Sequence, residues 1–455
     1  MDTFEIVHAL QQSSALDGRL GELLEAYRAH YLNFFLTYFE QHRRPQYKGG
    51  YFNLNSVTGR PYEHHCCYSW TDGRSLGELS ASWVSKLGPR DRLRAYADHL
   101  YAALRERYEV NGWFPHAVDD QTNRATDDPL NARIEPDASS FSHIFVLNGL
   151  FQYGLAFGDE AALHLARCLL GELRHALRAG TFLEGAAPRP EGQRAQGPSM
   201  IALGAISDVL ETLKALSGGS LDATSEDARS LIALGRECVD YILHHHYRPE
   251  DHVFWEVSEG AEAVRNDQGQ VITDPGHTLE FTGFAARFSA FLEPEEGESL
   301  RETCRSIFLW AAGRGFHAFR DLIYKNVDRD TGTPIKDATV TNLSRRVSPE
   351  VFQEHFGGKE ETITLSTFPW WVPMELLAAG SLLRHGDSSG QIDGYLLRAI
   401  HGIFQYYCNP RIDGLCYQNI GDEFFDYLDI PPATPTLDLM HSHRSLRVFL
   451  RECGC

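Results

Sequence analysis

A degenerate internal repeat constrains the fold of this chain more than any other feature. A short segment rich in glycine and aromatic residues recurs at intervals of about 60 to 70 residues, usually followed by an acidic, turn-rich stretch. The clear copies are 49–53, 112–116, 253–256, 321–325 and 413–417, and a weaker copy stands at 181–184. Repetition at such a period is typical of folds in which each unit buries its apolar face against its neighbours.

The sequence between these segments has the periodicity of amphipathic helices, with apolar residues three and four positions apart. The predicted helices are 20–39, 74–87, 92–108, 138–157, 161–177, 200–216, 227–243, 276–291, 300–312, 372–383, 395–407 and 439–450. Two helices in each of six repeats predict a closed double ring in which one set of helices faces a central funnel. The alternative is an open superhelical scaffold, but such arrays usually have shorter repeats. They also lack the recurring glycine- and aromatic-rich segments, which we call connectors.

One segment does not fit this period. Residues 333–368 are polar and rich in turns, and they show no clear helical face. An insertion of this length in a compact domain is usually functional or mobile. Its position before the next inner helix predicts either a lid or rim over the funnel or a purely structural loop. We expect the whole chain, 1–455, to form a single domain around it.

Charge and composition exclude several classes of partner. The chain has 455 residues and a net charge of −20, which argues against nucleic acids and anionic membranes because both require a basic face. Its first residues resemble no leader peptide, and no apolar run is long enough to span a bilayer, so we expect a cytoplasmic protein. The nine cysteines lack the spacing of a structural zinc site, and no metal is predicted. The oligomeric state stays open, with a homodimer as one option.

Four short stretches place polar residues at helix starts or within apolar helices. These are 70–74 with Asp72 and Arg74, 274–280 with His277 and Glu280, 370–375 with Trp370, Trp371 and Glu375, and 440–444 with His441, His443 and Arg444. Taken singly, a histidine at a helix start is more often structural, and a tryptophan pair is more often part of a core. His277 and Glu280 stand three residues apart, hence on one helical face where they could touch.

Together and in this order, the four stretches resemble the N-acylglucosamine 2-epimerase family, which includes cellobiose 2-epimerases and mannose isomerases. That family shows Gln-Gly-Arg, Gly-His-x-x-Glu, Trp-Trp-x-x-x-Glu and His-x-x-Arg, and the likeness extends over nearly the whole chain. The resemblance implies an all-α (α/α)6 barrel, in agreement with the six repeats. It also implies a sugar as the substrate and an enzyme that needs no cofactor.

The chemistry of such an enzyme explains these residue types. Epimerising a free sugar requires ring opening and removal of the C2 proton, for which a base with a pKa near neutrality is best suited. The resemblance assigns proton transfer on the two faces of the intermediate to His277 and His441, and stabilisation of the ene-diolate to Arg74. Glu280 is then expected to orient His277. Substrate contacts are assigned to Trp370, Trp371, Glu375, Arg444 and His116.

Several alternatives stay open at this stage. An aldose–ketose isomerase would use the same residues, and a glycoside hydrolase would need two carboxylates, for which Glu280, Glu375 and Asp137 are available. A binding protein without activity is disfavoured because all four stretches keep their titratable residues. Asp72 departs from the Gln of the family pattern, and His443 could replace His441 as the histidine in the funnel. The particular sugar is not predicted.

Overall fold

The computed structural model describes residues 3–42, 48–50, 56, 66–131, 139–185, 189–345, 347–409, 416–422, 427–428 and 438–453. Fourteen α-helices lie in these parts of the chain. They are α1 (Thr3–Gln11), α2 (Gly18–His42), α3 (Ser69–Val84), α4 (Arg90–Asn111), α5 (Phe141–Phe157), α6 (Glu160–Ala179), α7 (Gly197–Leu216), α8 (Glu226–His245), α9 (Pro275–Phe288), α10 (Pro294–Gly315), α11 (Pro349–Phe356), α12 (Trp371–Leu383), α13 (Gln391–Gly402) and α14 (Ser445–Cys453).

Twelve of these helices form two concentric rings, as the repeat predicts. The inner helices α3, α5, α7, α9, α12 and α14 contact one another in this order, and the π-helical turn Met440–Arg444 closes the ring back onto α3. The outer helices α2, α4, α6, α8, α10 and α13 each pack on an inner neighbour. Inner helices such as α5 are buried on nearly all sides, whereas outer ones such as α6 bury one face. The predicted all-α toroid is therefore confirmed, with α1 and α11 as additions.

Short strands join successive repeats at one end of the barrel. They are β1 (Cys66–Tyr68), β2 (Ala117–Asp119), β3 (Gln193–Ala195), β4 (Tyr247–Arg248), β5 (Val253–Phe254), β6 (Val257–Glu259), β7 (Glu262–Ala263), β8 (Ile272–Thr273), β9 (Val327–Asp328), β10 (Ala338–Val340), β11 (Ile363–Leu365), β12 (Thr367–Pro369), β13 (Asn419–Gly421) and β14 (Tyr427–Leu428).

The pairing of these strands sets the direction of the inner helices. The strand that precedes an inner helix pairs antiparallel with a strand that follows the next outer helix, as in β1 with β2, β3 with β6, β8 with β9 and β12 with β13. Before α5 there is instead a single bridge between Ser140 and Leu183, and it is parallel. The first turns of the inner helices consequently meet at one end of the barrel, where the connectors surround them.

Glycines allow the closest contact within the inner ring. A Cβ atom on Gly73 of α3 would lie 2.6 Å from backbone atoms of Phe145 and Val146 in α5, and one on Gly149 would lie 2.6 Å from the carbonyl oxygen of Gly73. Real Cβ atoms do not approach backbone atoms this closely, so larger residues would push the two helices apart. The glycine of the Asp72-Gly73-Arg74 stretch is thus required by packing.

We expect Gly73→Ala to lower the free energy of unfolding by about 1–3 kcal/mol because it overpacks the contact between α3 and α5. Gly171→Ala is the matched control, since its helix α6 lies in the outer ring and a Cβ there meets nothing within 4 Å. That change should stabilise the protein by about 0.5–1 kcal/mol through helix propensity. Thermal or urea denaturation of both variants measures the difference, and equal effects would contradict the packing argument.

The 333–368 segment has more regular structure than the sequence indicates. Strands β10 and β11 pair antiparallel within it, and α11 is capped by Ser348, whose hydroxyl accepts a hydrogen bond from the Val351 amide at 3.3 Å. A small apolar cluster of its own, including Val340, Leu343 and Leu365, holds these elements together. The expectation of a segment without a helical face is therefore wrong, because eight helical residues are too few to give a visible period. Among the described helices, none combines the length and apolarity of a membrane span.

Candidate active site

A cavity of about 570 Å³ lies where the first turns of the inner helices meet the connectors. The inner helices α3, α5, α7, α9 and α12 and the π-helical turn before α14 contribute residues to its wall. So does the 333–368 segment, through Asp337, Ala338, Thr339 and Thr367. The residues on its surface combine aromatic rings with titratable groups. They include Trp70, Arg74, Phe141, Phe145, Glu184, Met200, His277, Glu280, Lys325, Asp337, Trp371, Asn419 and His441.

His277 lies in the first turn of α9 and faces two carboxylates. Its Nδ1 is 3.0 Å from Oε1 of Glu256 and 3.2 Å from Oδ2 of Asp274. Burial by itself lowers the pKa of His277, but the two carboxylates outweigh it and hold this pKa above its ordinary value. Although desolvation opposes ionisation, the His277 and Lys325 charges in turn lower the pKa of the largely buried Glu256 to about 2. With Nδ1 engaged in this way, Nε2 is the nitrogen available to a ligand.

His441 lies in the π-helical turn Met440–Arg444 and has a similar arrangement. Its Nδ1 is 2.7 Å from Oε1 of Glu375, which also accepts hydrogen bonds from Arg444 at 2.6 Å and from Ser445 at 3.1 Å. Although burial opposes ionisation, the Arg444 and His441 charges lower the pKa of Glu375 to about 2. Turns of this π-helical type are frequent at functional sites. Its Nε2 lies 3.9 Å from Oδ2 of Asp438 and is the ring nitrogen nearer to a ligand in the cavity.

Trp371 connects the two histidines. Its ring stacks on His277 with centroids 5.6 Å apart and an interplanar angle of 29°, and it lies 5.5 Å from the His441 ring at 34°. Gly276 makes this contact possible, because a Cβ there would lie 2.5 Å from the Trp371 ring. Trp370 differs from its neighbour: it is 1% exposed and packs edge-on against His441. Of the predicted tryptophan pair, Trp371 alone is on the cavity surface.

Arg74 is held rigidly against the cavity wall. Its Nη1 donates to Oδ2 of Asp438 at 2.7 Å, and its guanidinium contacts the rings of Trp70 and Phe145, 4.7 and 4.1 Å from their centroids. Burial lowers its pKa despite the partner carboxylate. Arg74 also borders a second cavity of about 480 Å³ at the opposite end of the barrel. It therefore forms part of the floor that separates the two.

Glu280 is a buried carboxyl group on the cavity surface. It is 2% exposed, and its Oε1 has no hydrogen-bond partner among the described residues. Burial, together with the nearby Glu375 charge, raises the pKa of Glu280 above its ordinary value. A protonated Glu280 can donate to an oxygen in the cavity. The expectation that it orients His277 is wrong, because Glu256 and Asp274 occupy the Nδ1 of that histidine.

Three predicted substrate contacts lie behind the cavity surface instead. Glu375 and Arg444 are 2% exposed, and neither belongs to the described cavity lining; both support His441. His116 packs against Trp70 with ring centroids 6.4 Å apart and likewise does not belong to that lining. A sequence motif marks a residue as part of the site, but not whether it touches the substrate or a residue that does.

Asp72 and His443 make structural contacts away from the cavity. Asp72 accepts from Arg107 at 2.8 Å and from the Gly50 amide at 2.9 Å, away from the cavity. His443 is fully buried, with Nδ1 2.8 Å from Oε1 of Glu78 and Nε2 2.5 Å from Arg28, and burial lowers its pKa. The histidine of this turn that reaches the cavity is therefore His441.

The sequence did not single out four charged residues around His277. Glu256 and Lys325 were visible only as the last residues of two aromatic connectors, and Asp274 only as a helix start. Asp337 lies in the 333–368 segment, where burial raises its pKa to about 6. Their position at the ends of connectors was the available signal, because the connectors border the first turns of the inner helices.

Two further groups of side chains are relevant to metal binding and to glycoside hydrolysis. Ligand atoms of Glu280, Glu375 and His441 lie within 4.8 Å of one another, a spacing compatible with a metal ion. However, the same Glu375 oxygen accepts from Arg444, and a cation there would face that guanidinium. A glycosidase would need two carboxylates on the cavity surface. Glu375 is not on that surface, and Asp137 lies outside the described residues.

Comparison with known proteins gives the same fold. No family model matches the sequence, and no curated protein matches it either. Among solved structures, a sugar epimerase from a ruminal bacterium is similar with a TM-score of 0.67 at 14% identity, covering 94% of this chain and 98% of its own.

Two further structures are comparably similar. A cellobiose 2-epimerase from Spirochaeta thermophila has a TM-score of 0.67 at 14% identity, covering 97% of this chain and 99% of its own. A D-mannose isomerase has a TM-score of 0.65 at 14% identity, covering 94% and 97%. At such identities the likeness concerns the fold, and this chain shares the (α/α)6 toroid with these enzymes.

Proposed function

We propose that this protein is a sugar 2-epimerase that inverts C2 of a free aldose or an N-acylhexosamine. The observation that carries the proposal is the pair of imidazoles, His277 and His441, on one cavity surface. Each has its Nδ1 within hydrogen-bond distance of a carboxylate, and both contact the ring of Trp371. Two bases on either side of one substrate are what inversion at carbon requires, because the proton leaves one face and returns to the other.

The first step is removal of the C2 proton from the open-chain sugar. A carboxylate that accepts from Nδ1–H fixes the tautomer whose Nε2 carries a lone pair, and it stabilises the imidazolium that forms. Both histidines meet this condition, through Glu256 and Glu375. Proton transfer by a positioned side chain of this kind typically accelerates a reaction by roughly 10²–10⁴-fold.

The intermediate is an ene-diolate whose negative oxygen needs a fixed cation or donor. Arg74 supplies a guanidinium that Asp438 and two aromatic rings hold in place, so little reorganisation is needed when charge develops. A protonated Glu280 supplies a second donor to a sugar oxygen. The second histidine then protonates C2 from the opposite face, and Trp371 offers an aromatic face to the sugar C–H groups.

An aldose–ketose isomerase is the second candidate. It would move the proton from C2 to C1 with one of the same histidines, and a D-mannose isomerase is among the structures of similar fold. The difference is in the substrate pose rather than in the residues. Products therefore decide between the two reactions.

The proposal is tested by incubating the protein with a panel of free aldoses, disaccharides and N-acylhexosamines in deuterated water. We expect a C2 epimer as the product, with deuterium at C2 of the product. A ketose labelled at C1 would instead identify an isomerase. Release of monosaccharides from the disaccharides, or no conversion of any sugar, would contradict both.

A further inference from the structure

Lys325 is a cation on the cavity surface that the chemistry described so far does not use. It ends the connector after α10, and its side chain is 26% exposed. Its ammonium donates to Oδ2 of Asp274 and lies 4.9 Å from the centroid of the Trp371 ring. It thus contacts the two residues that themselves lie against His277.

Asp274 links this cation to the histidine. Its Oδ1 caps α9 by accepting from the His277 amide at 3.1 Å, while its Oδ2 lies 3.2 Å from Nδ1 of the same residue. Glu256 adds a second carboxylate at 3.0 Å. Two negative charges beside one imidazole favour the imidazolium, which cannot accept a proton from carbon. A base in this position therefore needs a compensating cation.

We propose that Lys325 is a positioning residue that limits protonation of His277, and so favours its base-competent form, by compensating the charge of Asp274. The inference rests on the proposed function, in which His277 is one of the two bases. The other histidine has an equivalent arrangement, in which the carboxylate Glu375 is compensated by Arg444. In both cases a cation contacts the carboxylate and leaves the imidazole free to gain and lose a proton.

The charges around His277 come from each neighbouring element. They are Asp274 and Glu280 on its own helix, Glu256 from the connector after α8, Lys325 from the connector after α10, Asp337 from the 333–368 segment, and His441 beyond the uncharged Trp371 of α12. Burial raises the pKa values of Glu280 and Asp337, which favours the uncharged forms of both carboxyl groups relative to exposed ones. Lys325 is the cation in contact with the pair formed by Asp274 and His277.

The test is a charge-removal cycle read out by NMR titration of the His277 ring in the unliganded, full-length protein. Lys325→Met should raise the His277 midpoint by roughly 1 pH unit, because Asp274 then acts uncompensated. Asp274→Asn should lower that midpoint, and the double variant should return close to the wild-type value. Lys325→Arg should keep the wild-type His277 midpoint, because it retains the positive charge. Lys359→Met removes an exposed lysine of the 333–368 segment and is the control that should leave the midpoint unchanged.

The activity profile gives the second readout. A base must be deprotonated, so a raised His277 pKa moves the acidic limb of kcat/KM to higher pH by the same amount in Lys325→Met. Activity should be about tenfold lower below the new midpoint and recover above it.

An unchanged NMR midpoint in Lys325→Met overturns the inference, whatever the result for Asp274→Asn. A loss of activity in Lys325→Met at all pH values with an unchanged midpoint also overturns it, because Lys325 would then act directly on the substrate. A shifted midpoint without any epimerase activity in the wild type supports the inference and refutes the proposed function.

Discussion

Net epimerisation should be lost in each of the single variants His277→Asn and His441→Asn, by about 10³-fold or more, while one half of the reaction survives in each. A planar intermediate held by Arg74 presents one face to each imidazole, and a single imidazole cannot reach both. His277→Asn should still exchange deuterium into C2 of one epimer without inverting it. His441→Asn should do the same with the other epimer. Proton NMR of both epimers in deuterated water measures this exchange.

His443→Asn is the matched control for this pair. It removes a histidine from the same π-helical turn as His441, but one that pairs with Glu78 away from the cavity. We expect this variant to retain two-way epimerisation if it folds. Inactivation by His443→Asn in a folded protein, or substantial two-way epimerisation in either of the other variants, would show that the two-histidine assignment is wrong.

Glu375→Gln should lower the epimerisation rate by about 10³-fold although Glu375 does not touch the cavity. The carboxylate accepts from His441 Nδ1 and thereby leaves Nε2 free to take up a proton. A glutamine amide that donates to Nδ1 would stabilise the opposite tautomer, whose Nε2 is already protonated, as happens when the buried aspartate of a serine-protease triad is replaced by asparagine.

Glu78→Gln is the control that separates the effect of Glu375→Gln on the epimerisation rate from its effect on stability. Glu78 contacts His443 and Arg447 in the same way as Glu375 contacts His441 and Arg444, and burial and the arginine charges act alike on both carboxylates, so that both have a pKa of about 2. Either variant leaves an arginine at most 14% exposed without this carboxylate and should lose comparable stability, of about 3–5 kcal/mol at most. Only Glu375→Gln should lose the rate at temperatures where both are folded. Similar losses of rate in Glu375→Gln and Glu78→Gln would mean that Glu375 affects activity only by supporting the folded structure.

Several features of the fold were predictable because they depend on local patterns. The twelve predicted ring helices all correspond to helices, since each carries an apolar stripe several turns long. Their ends moved by a few residues where caps and strands intervene: α3 begins at Ser69, directly after the strand that ends at Tyr68. Helix α11 was missed because its eight residues bury their apolar side chains only against the small cluster of the 333–368 segment.

The site was partly predictable for the same reason. Polar residues such as Arg74, His277 and His441 stand out within apolar helices, and the recurring connectors place the starts of those helices at one end of a ring. The prediction that they share one cavity agrees with the lining of the cavity. Their catalytic roles stay predictions.

The sequence by itself determined which helices form the ring, which end of the ring is polar, and which histidines are candidates. Only the tertiary structure decided which carboxylate serves which histidine. Glu280 stands three residues after His277 and was the expected partner, yet Glu256 comes from the preceding connector, 21 residues away, and contacts Nδ1. Helical spacing determines which side chains share a face, whereas the partner of a ring nitrogen depends on how neighbouring repeats pack. That packing follows from strand pairing between connectors and from close approaches at glycines such as Gly276, which no local pattern records.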